Sequence, residues 1–184
     1  MKNMSASDKR LVVLPEDNKL KLAEGMLVSD MTEGEIKQAA ELWEKVVAGK
    51  TDYGYKSVSE EGTFTMTNVP GDKGQKQFLE AIKNRKQLRV WLVDVKLNQA
   101  NDESKTQYHN SIFGYAVVEE NTHKFDDEDD TIEVTLKFKF NTAEGPFPKM
   151  PDAWINPSEA MKVEFETPNQ YTGSLEERKK VTGA

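Results

Sequence analysis

The side chains that could do chemistry are few, and their spacing does not assemble a known reaction centre. The chain has two histidines, His109 and His123, and no cysteine. A serine triad would need a histidine beside an elbow serine, and no Gly-x-Ser-x-Gly occurs. The two histidines lack metal-ligand spacing and are expected at surface or strand-edge positions. Pro70-Gly71-Asp72-Lys73-Gly74 sits between strand and helix, where phosphate loops occur, but it lacks their glycine spacing and Lys-Ser/Thr ending. It reads as a turn followed by a helix cap. The run Asp126-Asp127-Glu128-Asp129-Asp130 invites a calcium reading. An EF-hand loop beginning at Asp126 would need Gly at its sixth position and Glu at its twelfth, where the chain has Thr131 and Lys137. Two readings stay open: a looser cation contact, or a solvated hairpin tip whose charge repels edge-to-edge pairing. With no catalytic, metal or cofactor signature, the expectation is a non-enzyme without a cofactor.

Composition narrows the class further. Across 184 residues, 25 Lys and Arg stand against 32 Asp and Glu, a net charge of −7. Only 36% of residues are apolar while 31% are charged, so the core is thin for the length. Either a partner subunit completes that core, or polar tails dilute an ordinary domain. The absence of cysteine removes disulfides, thiolate metal sites and thiol nucleophiles, and suits a cytosolic protein or particle. No apolar run approaches the roughly 20 residues needed to span a bilayer. The segment Met1 to Leu14 is too short for a secretory core. The acidic balance argues against wrapping nucleic acid by phosphate neutralisation.

Periodicity supplies the elements. Residues 1–10 are polar and expected to be loose. Leu11 to Leu14 reads as a strand, with Lys19 to Leu22 and Gly25 to Val28 as a weak strand-turn-strand after it. Thr32 and Glu35 match a capping box, and Ile36, Ala39, Ala40, Trp43, Val46 and Val47 recur at helical spacing, so a helix is expected over 32–48, stopped by Gly49. Trp43 is then either a core anchor beneath that helix or an interface residue. Residues 50–57 read as a loop or ragged strand. After Gly62 the alternation is clean: Thr63, Thr65 and Thr67 share one face, Phe64 and Met66 the other. Asp72 caps a helix of about 13 residues bearing Phe78, Leu79 and Ile82. Leu88 to Leu97 is apolar on both faces of its middle and calls for cover by the helix on one side and a second sheet on the other. Tyr108 to Glu119 and Thr131 to Phe140 form a hairpin, the latter strand alternating Ile132, Val134, Leu136, Phe138 and Phe140 against Glu133, Thr135, Lys137 and Lys139. From 145 onwards, four prolines beside Phe147 and Trp154 mark an extended arm and tail through 184.

The stretch Gly62-Thr63-Phe64-Thr65-Met66-Thr67-Asn68-Val69-Pro70-Gly71-Asp72, the following helix, and Lys86-Gln87-Leu88-Arg89-Val90-Trp91-Leu92-Val93-Asp94 resemble the middle of the major tail tube protein of long-tailed, non-contractile bacteriophages. Phe113-Gly114-Tyr115-Ala116 and the hairpin to Leu136-Lys137-Phe138 continue the likeness, which covers about residues 58–140. The resemblance implies a β-sandwich or barrel flanked by a helix, mainly β with minor α, in a domain spanning 11–144. It implies hexameric rings that stack into a tube and carry genome DNA into the host. It further implies a tape measure protein and a tail terminator as partners, a place in the virion tail, assembly in the host cytoplasm, and no membrane. The family's ring-stacking loop falls by position within 29–57, where this chain departs from the pattern because 32–48 reads as helical. The proline-rich segment after 145 matches the arm that reaches a neighbour.

Two sets of residues follow as candidates. Thr63, Thr65, Thr67, Glu133, Thr135, Lys137 and Lys139 are candidates for facing the lumen, since an acidic, threonine-lined wall would let phosphate slide past. Lys137 and Lys139 fit a purely acidic channel poorly, and their strand facing outward is the alternative. Trp43, Tyr53, Tyr55, Phe147 and Trp154 are candidates for ring stacking or subunit contact. The rivals are a tail terminator, baseplate or secretion-tube ring protein of the same architecture, and a monomeric ligand-binding β-barrel, which would need an apolar interior.

Overall fold

A computed structural model describes residues 8–17, 26–100 and 105–155. The chain divides into two compact units, Met1–Lys149 and Met150–Ala184. In the first, strands β1 (Lys9–Pro15), β2 (Met26–Val28), β3 (Met31–Val47) and β4 (Lys50–Thr67) precede helix α1 (Lys73–Asn84). Strands β5 (Leu88–Gln99), β6 (Gln107–Phe125), β7 (Asp130–Phe138) and β8 (Ala143–Pro148) follow it. In the second, the described part is a four-residue helix α2 (Asp152–Ile155), whose Trp154 amide donates to the Pro151 carbonyl.

All eight strands join one antiparallel sheet in the order β2-β1-β5-β6-β7-β4-β3, with β8 added to β6. The long strand β6 changes partners along its length. Residues 107–116 lie against β5, 108–113 also against β8, and 116–125 against β7. The sheet therefore folds over itself. Leu11 and Val13 of β1, Phe64 and Met66 of β4, Leu88 and Val90 of β5, and Val134 and Leu136 of β7 meet Phe78 and Ala81 of α1 in one core.

Helix α1 forms where expected, and its docking explains the turn before it. The Asp72 carboxylate accepts from the Gln75 amide at 2.7 Å, an N-cap, and also accepts from the Ser29 hydroxyl. Buried Gln75 ties the helix to its surroundings. It donates to the carbonyls of Ser29 and Thr67 and accepts from the Val69 amide. Gly74 lies on β2 so closely that a β-carbon would stand 2.4 Å from the Leu27 carbonyl oxygen. The glycines of this phosphate-loop lookalike thus serve a turn and a backbone contact. The inner face of α1 is Gly74, Gln75, Phe78 and Ala81. Leu79 and Ile82, expected beside Phe78 on that face, point outward instead.

Four further expectations need correction. The helix over 32–48 does not form: these residues are strand β3, paired along their length with β4. Helical spacing of apolar residues there had no core to face, since Leu42, Trp43, Val46 and Val47 are all exposed. Ala48 and Gly49, both at positive φ, make the two-residue turn of a hairpin, not a helix stop. Of the two readings of 50–57, loop or ragged strand, the second holds: they are strand continuous with 58–67, interrupted by a bulge at Lys56. Residues 145–148, placed in an arm, pair with β6 as part of β8. Phe140 falls beyond β7 and is exposed. The strand expected over 19–22 and most of the tail lie outside the described residues.

The second face of β5 is covered by an aromatic cluster. Trp91 stacks on Phe113 at 5.0 Å and meets Phe147 edge-on at 6.2 Å, while the Arg89 guanidinium lies 5.7 Å over the indole. The Phe147 cover comes from the short strand β8, on the side where a second sheet was expected.

Candidate functional site

The residues singled out as lumen candidates share one face of the sheet. Directly opposed residues of an antiparallel pair point the same way. Thr63 opposes Thr135, and Thr65 opposes Glu133. The face extends across β3, where Glu35 opposes Thr63 and Glu33 opposes Thr65. It extends across β6, where Glu120 opposes Thr135, Thr122 opposes Glu133 and Lys124 opposes Thr131. Phe64, Met66, Val134 and Leu136, the intervening residues, all point into the core. Strands β3, β4, β7 and β6 therefore present one polar surface across the rows of Thr131, Glu133 and Thr135, with the exposed Val117 beside Lys137 at its end.

Its electrostatics answer the difficulty raised by the lysines. Lys137 is paired with both Glu61 and Glu119, and Lys124 with Glu133. Hydrogen bonds to Glu61 and then Glu119 raise the Lys137 ammonium above its ordinary value, and the same bond lowers the Glu61 carboxyl. Lys124 is raised by its bond to Glu133. Six carboxylates on this face (Glu33, Glu35, Glu61, Glu119, Glu120, Glu133) stand against three ammonium groups (Lys37, Lys124, Lys137), a net charge of −3. A cation already holding carboxylates offers phosphate little. Lys139 does not belong to the ladder: it falls past the end of β7 and donates to the Gln87 side chain. Thr67 lies at the face's exposed end, opposite Thr131.

The second feature is an arm. Beyond Glu61 strand β4 leaves β7 and pairs with β3 alone. Residues 50–60 then carry the hairpin about 35 Å outward at 3.3 Å per residue. The register sorts its faces. Ala40 opposes Val58, Leu42 opposes Tyr55, Glu44 opposes Tyr53 and Val46 opposes Thr51, and this side continues the core face. The other side continues the polar face and carries Trp43 over Gly54, Lys45 opposite Asp52, and an ion pair from Lys56, the bulge residue, to Glu41. Among the described residues the apolar side has no cover: Tyr55 is 76% exposed and Val46 66%. An isolated two-stranded hairpin is marginal in water.

Of the five aromatic candidates, Trp43, Tyr53 and Tyr55 lie on this arm and show their rings to solvent. Phe147 is buried against Trp91 within its own chain, and Trp154 sits half-buried on α2. Sequence reading missed Leu42, Val46 and Val58, because the arm was divided between a helix and a loop. It also missed Glu61, two residues before Thr63 and findable by the same alternation. The histidines are not brought together. His109 is fully buried rather than at a surface or edge, because β6 is flanked by both β5 and β8, and exposed His123 pairs with Asp130. The Asp126 carboxylate is engaged by the amides of Glu128 and Asp129 in the hairpin tip.

Comparison with known proteins places this geometry. No family model matches the chain. The structure superposes on the tail tube of Bacillus phage SPP1, solved by solid-state NMR and cryo-EM. The TM-score is 0.73 at 23% identity, covering 93% of this chain and 95% of that one. In sequence it is 28% identical over 144 residues to tail tube protein gp17.1 of the same phage, 77% of this chain and about half (52%) of that relative. It is 41% identical over 185 residues to a protein of Staphylococcus phage phiMR11 described as a tail protein, covering 97% of this chain and 96% of that one. The chain belongs to a family of phage tail proteins and has the fold of a tail tube protein.

Membership makes it a structural protein of the virion tail. The tail tube fold is wider than the tube. At 6% identity and a TM-score of 0.57 it also matches a chain of the anti-feeding prophage baseplate, covering 79% of this chain and 97% of that one.

Proposed function

We propose that copies of this chain close into six-membered rings, that the rings stack into a tube, and that the polar face of β3, β4, β7 and β6 lines the bore through which double-stranded DNA passes. The single observation that carries this reading is the continuity of that face. Four strands present threonines, carboxylates and carboxylate-bound lysines, with no unpaired cation row to hold phosphate. Two further features support it. Among the described residues the outer edge of β3 is a 17-residue strand edge without a partner at the end of the sheet path, which an isolated protein would have to protect and a ring can share. The arm's uncovered apolar side calls for a neighbouring copy, which gives the segment 29–57 a stacking role carried by a hairpin. Assembly takes place in the host cytoplasm, around a tape measure protein and closed by a tail terminator.

Electron microscopy of the concentrated, purified protein tests the reading. Hollow tubes with six-fold symmetry are the expected result. Isolated rings would favour a terminator or baseplate role, and dispersed monomers would refute self-assembly.

A further inference from the structure

The apolar side of the arm carries one charged side chain along its outer part, Glu44, set between Leu42 and Val46 and opposite Tyr53. Among the described residues Glu44 has no ion-pair partner. Burying that side against a purely apolar surface would strand a carboxylate, at high cost. Its seat must therefore combine exposed apolar groups with an uncommitted cation.

The exposed apolar groups of the first unit differ in this respect. Tyr115 and Val117 on β6 adjoin Lys137, which already holds two carboxylates, and Arg89, which lies over Trp91. Leu97, Phe125 and Phe140 are single apolar side chains near the end of β5, at a hairpin end and past the end of β7. Helix α1 satisfies both requirements. Leu79 (44% exposed) and Ile82 (41%) stand on neighbouring turns of its outer face. Lys83 lies beside them, four residues from Leu79, and has no ion-pair partner among the described residues. The segment from Asp72 to Lys86 is also basic within an acidic chain: Lys73, Lys76, Lys83, Arg85 and Lys86 stand against Asp72 and Glu80, although Lys76 pairs with Glu80 and Lys86 with Asp17.

The geometry points to α1 of a neighbouring copy as the seat of the arm, with Leu42, Val46, Tyr53 and Tyr55 over Leu79 and Ile82, and Glu44 meeting Lys83. The inference rests on the stacked-ring reading above and names the contact that would hold it. The occupant is a second copy because nothing in the arm's own chain covers this side among the described residues.

The absence of cysteine gives a clean background for cross-linking. Tyr55→Cys protein and Ile82→Cys protein are mixed, assembled and treated with a short bis-maleimide. The expected result is a cross-linked dimer only when both variants are present and only in assembled material, with Tyr115→Cys replacing Ile82→Cys giving none. As an independent reading, Glu44→Lys should lower tube yield about tenfold or more, since like charges then oppose, and Lys83→Glu in the same chain should restore it. Normally formed tubes in which the arm cysteine couples to Tyr115→Cys or to nothing, or a double charge reversal no better than Glu44→Lys, would overturn the seat and leave the tube standing. Failure of the wild-type protein to form tubes would overturn both.

Discussion

The indole of Trp43 covers Gly54, its register partner across the arm, so closely that a β-carbon at position 54 would lie 2.4 Å from the ring. The glycine makes room for the ring, and the ring stiffens a hairpin that has no core beneath it. Gly54→Ala should therefore displace the indole while leaving the folded core intact. Thermal unfolding should change by no more than about 0.5 kcal/mol, as for a surface site. The Trp43 indole N–H resonance should shift, and tube yield should fall. An unmoved resonance would show that the ring does not rest there in solution.

The Lys137–Glu61 pair fixes a pH window. Glu61 is depressed in the folded chain, so its contribution is full above the ordinary glutamate value near 4.3 and is lost as pH falls through its lowered value. Lys137 is raised, so its contribution is full below about 10.4 and is lost as pH climbs through its raised value. The pair should hold from about pH 5 to pH 10. Glu61→Gln should lower the melting temperature at pH 7 and make a smaller difference at pH 2, as the carboxylate takes up its proton. A difference of equal size at both pH values would assign the effect to something other than this ion pair.

Docking of α1 depends on two neighbouring residues that fail in different ways. Asp72→Ala removes the cap and the Ser29 partner, with an expected cost of about 1 kcal/mol. Gly74→Ala pushes a methyl into the Leu27 backbone, which cannot swing aside, and should cost about 1–3 kcal/mol. Denaturant unfolding at constant m-value measures both. A neutral Gly74→Ala would mean that the β2–α1 approach is looser than described.

The polar face predicts a separation of assembly from transport. Thr63→Arg with Thr135→Arg places two cations side by side on the proposed wall, each with a glutamate (Glu35, Glu120) on its other side, and takes that row from a net charge of −2 to zero. Tubes should form normally, while DNA ejection from virions carrying the variant should slow and regain speed as salt rises. Ejection at the wild-type rate would take these two threonines off the DNA path.

How much of this could be read from the chain depended on whether a core sorted the residues. Strands β4 and β7 were legible through Phe64, Met66, Val134 and Leu136, because one face of each is buried and the other wet. The Asp72 cap was legible because capping is local. The arm was not: neither of its faces meets a core among the described residues, so Ala40, Trp43 and Val47 extended from core-packed Ile36 a helical period that nothing enforced. The outward turn of Leu79 and Ile82 was hidden for a related reason, since Phe78 and the close packing of Gly74 on β2, not hydrophobicity alone, chose the buried side of α1. Partnering of Lys137 on the polar face was invisible because Glu61 and Glu119 are distant from it in sequence and meet it only through the sheet register.

A cryo-EM map of the assembled tube tests the central claim most directly, by locating the two faces of the β3-β4-β7-β6 sheet relative to the axis. The account predicts Thr63, Thr65, Glu133 and Thr135 on the innermost surface, with Phe64 and Val134 one layer out. A map with that face against a neighbouring ring or on the tube exterior, and another surface lining the bore, would contradict it.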